Sequence, residues 1–282
     1  MFMKVMKKWF ALACSLLLVL VMAACSSGKD QAAGGDLDAI KKRGKLIVGV
    51  KYDTRLFGYK DPADNQVKGF EVDLMRELAK KLFGDPNKVE FKEVTSKTRI
   101  KMLTSGDIDL IAATMTITEE RKKQVDFSHV YYMAGQSLLV PKNSSIKTVK
   151  DAKGKKVSTA KGATSGKNLE KYVPGVIIEE YDNYADAFTA LKSKKVDAVT
   201  TDDSILLGMA ESDNNYVVLP EKFTEEPYGL GIKKGNEQLK KFVNEFLDEV
   251  QKNGKYRELY KKWFKKEPPA NLPKDAVQKH PK

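Results

Sequence analysis

Cysteine and histidine are nearly absent from this 282-residue chain, which has two of each. Cys14 and Cys25 both fall near the start, while His129 and His280 stand far apart. No metal-ligand spacing can be drawn among them, so catalysis by a Cys- or His-bound metal is excluded and no cofactor is expected. G-x-S-x-G, a Ser–His–Asp set and an RNA-binding signature with interleaved aromatics are absent too. The nearest approach to a phosphate loop, GATSGKN at 162–168, is one residue short between its glycines and lacks Ser or Thr after Lys167. The formal charge of +12 comes from lysines scattered through predicted helices. That pattern suits a solvated surface or the steering of small anions, and no nucleic-acid partner is expected.

What is present begins with a secretory signal. Residues 1–24 carry Lys4, Lys7 and Lys8 ahead of an apolar stretch from about Trp9 that ends in small residues. The stretch is somewhat short for a spanning helix. Met22-Ala23-Ala24-Cys25 resembles a bacterial lipobox, which implies cleavage before Cys25 and lipidation there; an ordinary signal peptide with an incidental cysteine is the alternative. Residues 25–36, polar and glycine-containing, read as a flexible tether that leaves the folded part free beneath a membrane anchor.

From residue 45 the chain alternates short apolar runs with amphipathic ones. KLIVGV, KVEFKEV and IDLIAAT read as strands; FEVDLMRELAKKLF (70–83) and TRIKMLTSG read as helices. A second series follows: KVSTA, a helix from about Ser165, VIIEEY, a helix from about Tyr184, and VDAVTT. LTSGDIDLIAAT (103–114) and LKSKKVDAVTTD (191–202) share one order of helix end, turn, x-Asp, buried strand and polar residue. Two similar lobes of an α/β fold follow, each with a mainly parallel sheet. Ligands of open α/β sheets bind beyond the carboxyl ends of the strands, which brings Thr114 and Asp202 face to face. A last strand (228–235) and two helices (237–252 and 254–264) close the fold, and 267–282 reads as a disordered tail.

The stretch ATMTITEERKKQVDFS (112–127) ends a buried strand in hydroxyls and sets Arg121 just beyond. Hydroxyls and free N–H groups at a strand end favour an anion, and an arginine fork grips a carboxylate bidentately. Alternatively, Thr118 caps a helix and Arg121 sits in water. Asp202 has its own second reading as a helix cap in TTDDSILLGM.

GKLIVGVKYD, GFEVDL, SGDIDLIAATMTITEERKKQVDFSHVYY and LLVPKNSSIKTVKDAKGKKV, in this order, resemble the solute-binding proteins of ABC amino-acid importers, from about Gly44 to Phe264. The T-x-T-x-x-x-x-R run followed by V-D-F-S carries most of the likeness. The resemblance implies a monomeric, two-lobed clamp of the type II periplasmic-binding-protein fold. It would deliver one amino acid to a membrane permease and its ATPase at the outer face of a bacterial membrane. Two interlobe crossings divide the chain into 37–133 plus 229–266 and 134–228.

Carried onto this sequence, the resemblance implies that Arg121, Thr116 and Thr164 hold an α-carboxylate and that Thr114 and Asp202 take the α-ammonium. Lys51, Arg99 and Tyr184 resemble the side-chain contacts of the glutamate- and aspartate-binding branch. An acidic ligand is therefore expected, its distal carboxylate paired with Lys51 and Arg99, with glutamine as the alternative. On their own, Lys51 also reads as an exposed strand-end lysine and Arg99 as a helix-surface arginine. The fold also hosts some dehydratases and lytic domains, so a catalyst or a permease-free sensor on this scaffold stays a rival to the receptor.

Overall fold

Two five-stranded sheets carry the architecture, which the computed structural model describes over residues 36–280. The signal segment and Cys25 lie outside the described residues. Helix α1 (Leu37–Arg43) is capped by Asp36 and closed by Gly44 in the left-handed region. It leads into β1 (Leu46–Val50), a short hairpin region of β2 (Asp53–Thr54), β3 (Gly58–Lys60) and β4 (Val67–Lys68), and the long α2 (Phe70–Phe83). Then come β5 (Val89–Glu93), α3 (Arg99–Ser105), β6 (Leu110–Ala112), α4 (Glu119–Lys122) and the ten-residue β7 (Val125–Ala134).

The second lobe starts directly after Gly135. It runs through β8 (Gln136–Pro141), β9 (Lys156–Ala160), α5 (Ser165–Tyr172), β10 (Ile177–Tyr181), α6 (Tyr184–Lys192), β11 (Ala198–Asp202), α7 (Asp203–Ser212) and β12 (Tyr216–Val218). Strand β13 (Glu226–Lys233) returns to the first lobe, where α8 (Glu237–Lys252) and α9 (Lys255–Phe264) finish it.

Strand order is β5-β1-β6-β13-β7 in the first sheet and β10-β9-β11-β8-β12 in the second. The sheets are mixed rather than mainly parallel. In each, the first three strands pair in parallel, and the two beside the crossing depart from that pattern through antiparallel pairings. The reason is local: a chain that leaves one lobe and returns must run both ways past the hinge. Each sheet is covered on both faces by buried clusters. A dense aromatic set in the first lobe joins Phe57, Phe70, Tyr131, Tyr132, Tyr228 and Tyr260.

The repeated x-Asp turn has a direct structural meaning. Asp109 precedes β6, and its carboxylate accepts the Ile47 N–H of β1 at 2.7 Å, while its own N–H donates to the Ile47 carbonyl at 2.8 Å. Asp197 treats Lys156 of β9 in the same way, at 2.9 and 2.7 Å. Each acid extends a parallel ladder by one rung at its N-terminal edge, so the strand ends across the cleft start from equivalent registers.

The tail departs from expectation. Residues after Glu267 do not remain loose through His280: Lys274 accepts from Val130, Gln278 donates to the Ile117 carbonyl at 2.9 Å, and Lys279 forms an antiparallel bridge with Glu225. Ala276 and Val277 pack on a cluster containing Ile117, Val125, Phe127 and Val130. Two small apolar residues in a polar, proline-bearing stretch suffice to seat it. Among the described residues no helix is long and apolar enough to cross a membrane.

Asp109 is buried and also pairs with Arg43, whereas the Asp197 bond lies at the surface. Asp109→Ala should therefore lower unfolding stability by ~2–3 kcal/mol and Asp197→Ala by ~1 kcal/mol, measured by urea denaturation. Equal or reversed losses would contradict the ladder role.

Candidate functional site

Strand ends from both lobes converge where β6 and β11 stop. Beyond β6 the backbone at Thr114 turns into the left-handed region, with φ +46°. A non-glycine residue holds that conformation only when its surroundings enforce it. Here the Thr114 N–H donates to Glu71 Oε1 at 2.6 Å, and the Tyr131 hydroxyl donates to the same oxygen. Arg99 reaches from α3 to donate to the carbonyls of Ala113 and Thr114. The turn is gripped from both sides.

The alternative reading of the Arg121 stretch holds for its cap and fails for its arginine. Thr118 does cap α4, accepting the Arg121 N–H at 3.1 Å, yet the guanidinium is buried, at 8% exposure. One of its nitrogens donates to the Thr116 carbonyl at 2.9 Å. The other crosses to the second lobe and donates to the Gly162 carbonyl at 3.2 Å. Gly162 has φ +76°, and a Cβ there would stand 2.8 Å from the Lys97 Cα of the first lobe. Only a glycine lets the lobes approach this closely.

The remaining contacts between lobes tell the same story. The Tyr184 N–H donates to Asp53 at 2.7 Å, and Gly208 of α7 lies against Arg55 and Leu56. The clamp is closed. Accordingly Lys51, Arg99, Thr114, Thr116, Arg121, Tyr184 and Asp202 are all buried, and Thr164 is half-buried. The surface readings of Lys51 and Arg99 therefore fall, since they are 1% and 2% exposed. Lys51 donates to Ser96 Oγ at 2.9 Å and lies 4.3 Å from the Tyr184 ring centre. The Thr164 hydroxyl accepts from Gln136, whose amide oxygen is held by Asn168.

Asp202 does not cap α7 with its side chain. One oxygen accepts from the Tyr228 hydroxyl, and the other, Oδ1, is buried with no hydrogen-bond partner among the described residues. The expected positive pocket is in fact balanced. Lys51, Arg99 and Arg121 share the interior with Glu71, Asp202 and Glu226, each of which interacts electrostatically with at least one of the cations. Burial lowers the Lys51 ammonium to about 8 and the Arg99 guanidinium to about 9, and it lowers Arg121 as well. Burial likewise raises Glu71 and Glu226 to about 7 and Asp202 to about 6, with Asp202 adding to the rise at Glu226.

Glu71, Glu226, Tyr228, Gln136 and Asn168 escaped the sequence reading. Glu71 left a signal: it shares the apolar stripe of α2 with Met75 and Leu78, where an acid needs a buried partner. Glu226 left a weaker one, as an acid opening a fully buried strand. A groove of ≈ 750 Å³ flanks the closed interior, lined by Ser96, Arg121, Gly162, Thr164, Asn168 and Gln278 among others. Among the described residues no group of three or more His, Cys, Asp or Glu could hold a metal ion.

Known proteins resemble this chain over most of its length. Residues 46–266 match the model of the bacterial extracellular solute-binding proteins, family 3. The ABC transporter glutamine-binding protein GlnH of Bacillus subtilis (strain 168) is 52% identical over 93% of this chain and 99% of its own length. The glutamine-binding protein of Geobacillus stearothermophilus is 56% identical over 82% and 94%. A solved structure of an ancestral arginine-binding protein bound to glutamine is 44% identical, with a TM-score of 0.74 over 79% of this chain and 99% of that one.

The three raised acids make ligand-free stability fall with pH. Each binds a proton in the folded state at pH values where the unfolded chain has released it, so stability is greatest at the acid end of the window and is lost as pH rises through about 6 to 7. His280, lowered by burial, opposes this in the same range, and Lys51, lowered to about 8, opposes it at the upper end. The ligand-free melting temperature should rise by roughly 3–6 °C from pH 7.5 to pH 5. A fall over that interval would contradict the upward shift that burial gives these three acids.

Proposed function

This chain belongs to the bacterial extracellular solute-binding proteins, family 3, and on that premise we propose that it captures glutamine between its lobes and presents it to an ABC permease. The carrying observation is that Arg121 and Asp202, of opposite charge and within electrostatic reach of each other, are both buried, the acid with an open oxygen. A zwitterion needs one cationic fork and one carboxylate, both out of water, at opposite ends of a short span. In this reading Arg121, with Thr116 and the half-buried Thr164 hydroxyl, receives the α-carboxylate. Asp202 and the Thr114 turn receive the α-ammonium. Capture is binding and release, and the relatives of this chain are transporter binding proteins rather than enzymes.

The choice of glutamine over an acidic amino acid follows from the balanced interior and from the Bacillus and Geobacillus relatives, both named as glutamine-binding proteins. Arg99 is already turned onto the β6 backbone, and Lys51 faces Ser96 and a ring. Glu71 offsets both cations. A second full negative charge would meet no uncompensated partner, whereas a neutral amide can both donate and accept. Glutamate is the second reading, favoured by the one Lys51 ammonium that lines this space. We further propose that lipid on Cys25 holds a monomeric receptor at the outer face of the membrane.

Calorimetry of the chain with glutamine and glutamate is the deciding experiment: glutamine should bind at least tenfold more tightly, and the opposite order would favour the second reading. Arg121→Ala should weaken glutamine by roughly 2–5 kcal/mol, because it strands a buried carboxylate. Near-native affinity in that variant would contradict the assignment. Affinity should fall as pH drops below about 6, since a protonated Asp202 no longer attracts an ammonium. Unchanged affinity at pH 4.5 would remove Asp202 from the site.

A further inference from the structure

The C-terminal strap reaches the binding site, and it does so through one side chain. Gln278 lines the same groove as Arg121 and Thr164, and its amide Nε2 donates to Glu226 Oε1 at 2.5 Å. Glu226 is fully buried at the start of β13, where the chain crosses back between lobes. Among the charges that attract Arg121 it stands first. Asn168 of the second lobe approaches the same Oε1 at 3.5 Å, while Oε2 has no partner among the described residues. The hydroxyls of Thr116 and Thr224 also lie against this carboxylate and favour its charged form.

A carboxylate beside the guanidinium that must grip the ligand is a competitor as well as a counter-charge. Left loose, it can swing onto Arg121 and imitate a ligand carboxylate. The restraint comes from a segment that is itself tied down. Gln278 N–H bonds the Ile117 carbonyl, one residue from Thr116, and Lys279 exchanges two backbone bonds with Glu225 at 2.9 and 3.1 Å. The strap thus runs as a third strand of chain along the hinge, beside the two crossings.

We propose that Gln278 is a positioning residue for ligand binding: it holds the Glu226 carboxylate back from Arg121 and so keeps the guanidinium available to the ligand. This rests on the assignment of Arg121 as the carboxylate receptor. The expected contribution is about tenfold in affinity, the scale of one hydrogen bond to a charged group.

The test is calorimetric titration of glutamine into the full chain and its variants Gln278→Ala, Glu226→Gln and the double variant. Gln278→Ala should bind about tenfold more weakly while melting only a few degrees lower, the cost of one lost hydrogen bond to Glu226. In the Glu226→Gln background the same change should have no effect, because the neutral amide no longer competes for Arg121. An affinity within twofold of wild type for Gln278→Ala would overturn the proposal, as would an equal loss in both backgrounds, which marks a merely structural strap. Failure of the wild-type chain to bind glutamine would instead sink the receptor reading and this proposal together, so the two failures are distinguishable.

Discussion

Burying three cations with three carboxylates between two lobes is the constraint on which this structure depends. An isolated charge removed from water is costly, and paired charges recover that cost only with close geometry and further hydrogen bonds. Lys51 and Arg121 meet that demand through Ser96 and through the Thr116 and Gly162 carbonyls, and Arg99 meets it in part through the Ala113 and Thr114 carbonyls, its Nε having no partner among the described residues. Glu71 and Asp202 meet half of it, each with one oxygen bonded to a tyrosine hydroxyl and the other without a partner among the described residues. The closed clamp is therefore electrostatically incomplete. On the proposed reading a small molecule carrying both charges completes it, and closure would then favour the liganded state.

The scaffold supplies position rather than chemistry. Two equivalent x-Asp turns register the parallel strands within each sheet, and Thr114 and Asp202 stand at corresponding positions after Asp109 and Asp197. The aromatic cluster around Phe57 and Tyr228 stiffens the wall that carries the Asp202 partner. Gly162 permits the final approach of the lobes, and the hinge carries three passes of chain, since the C-terminal strap joins the two crossings.

Much of this is legible in the residues. The periodicity of 70–83 marks α2 at its observed ends, and the echo between 103–114 and 191–202 marks the paired lobes. Thr114, Arg121 and Asp202 are visible because a polar residue at the end of an apolar strand asks for a partner. What stays hidden depends on distant contacts. Nothing local says that Lys51 and Arg99 are offset by Glu71, so those two cations taken alone suggest a positive pocket and an acidic ligand. The tail misleads for a similar reason: its composition is polar, but Ala276, Val277 and Gln278 meet a surface built from β7 and the 115–118 turn. The GATSGKN stretch is instructive, since its first glycine serves the lobe contact and no phosphate.

The most direct test of a zwitterion completing this interior is a calorimetric comparison of glutamine with its two capped forms, the α-carboxamide and the N-acetyl derivative. The account predicts that each cap weakens binding by at least a hundredfold, because each leaves one buried charge without its counterpart. Binding of either capped form within threefold of glutamine would contradict it.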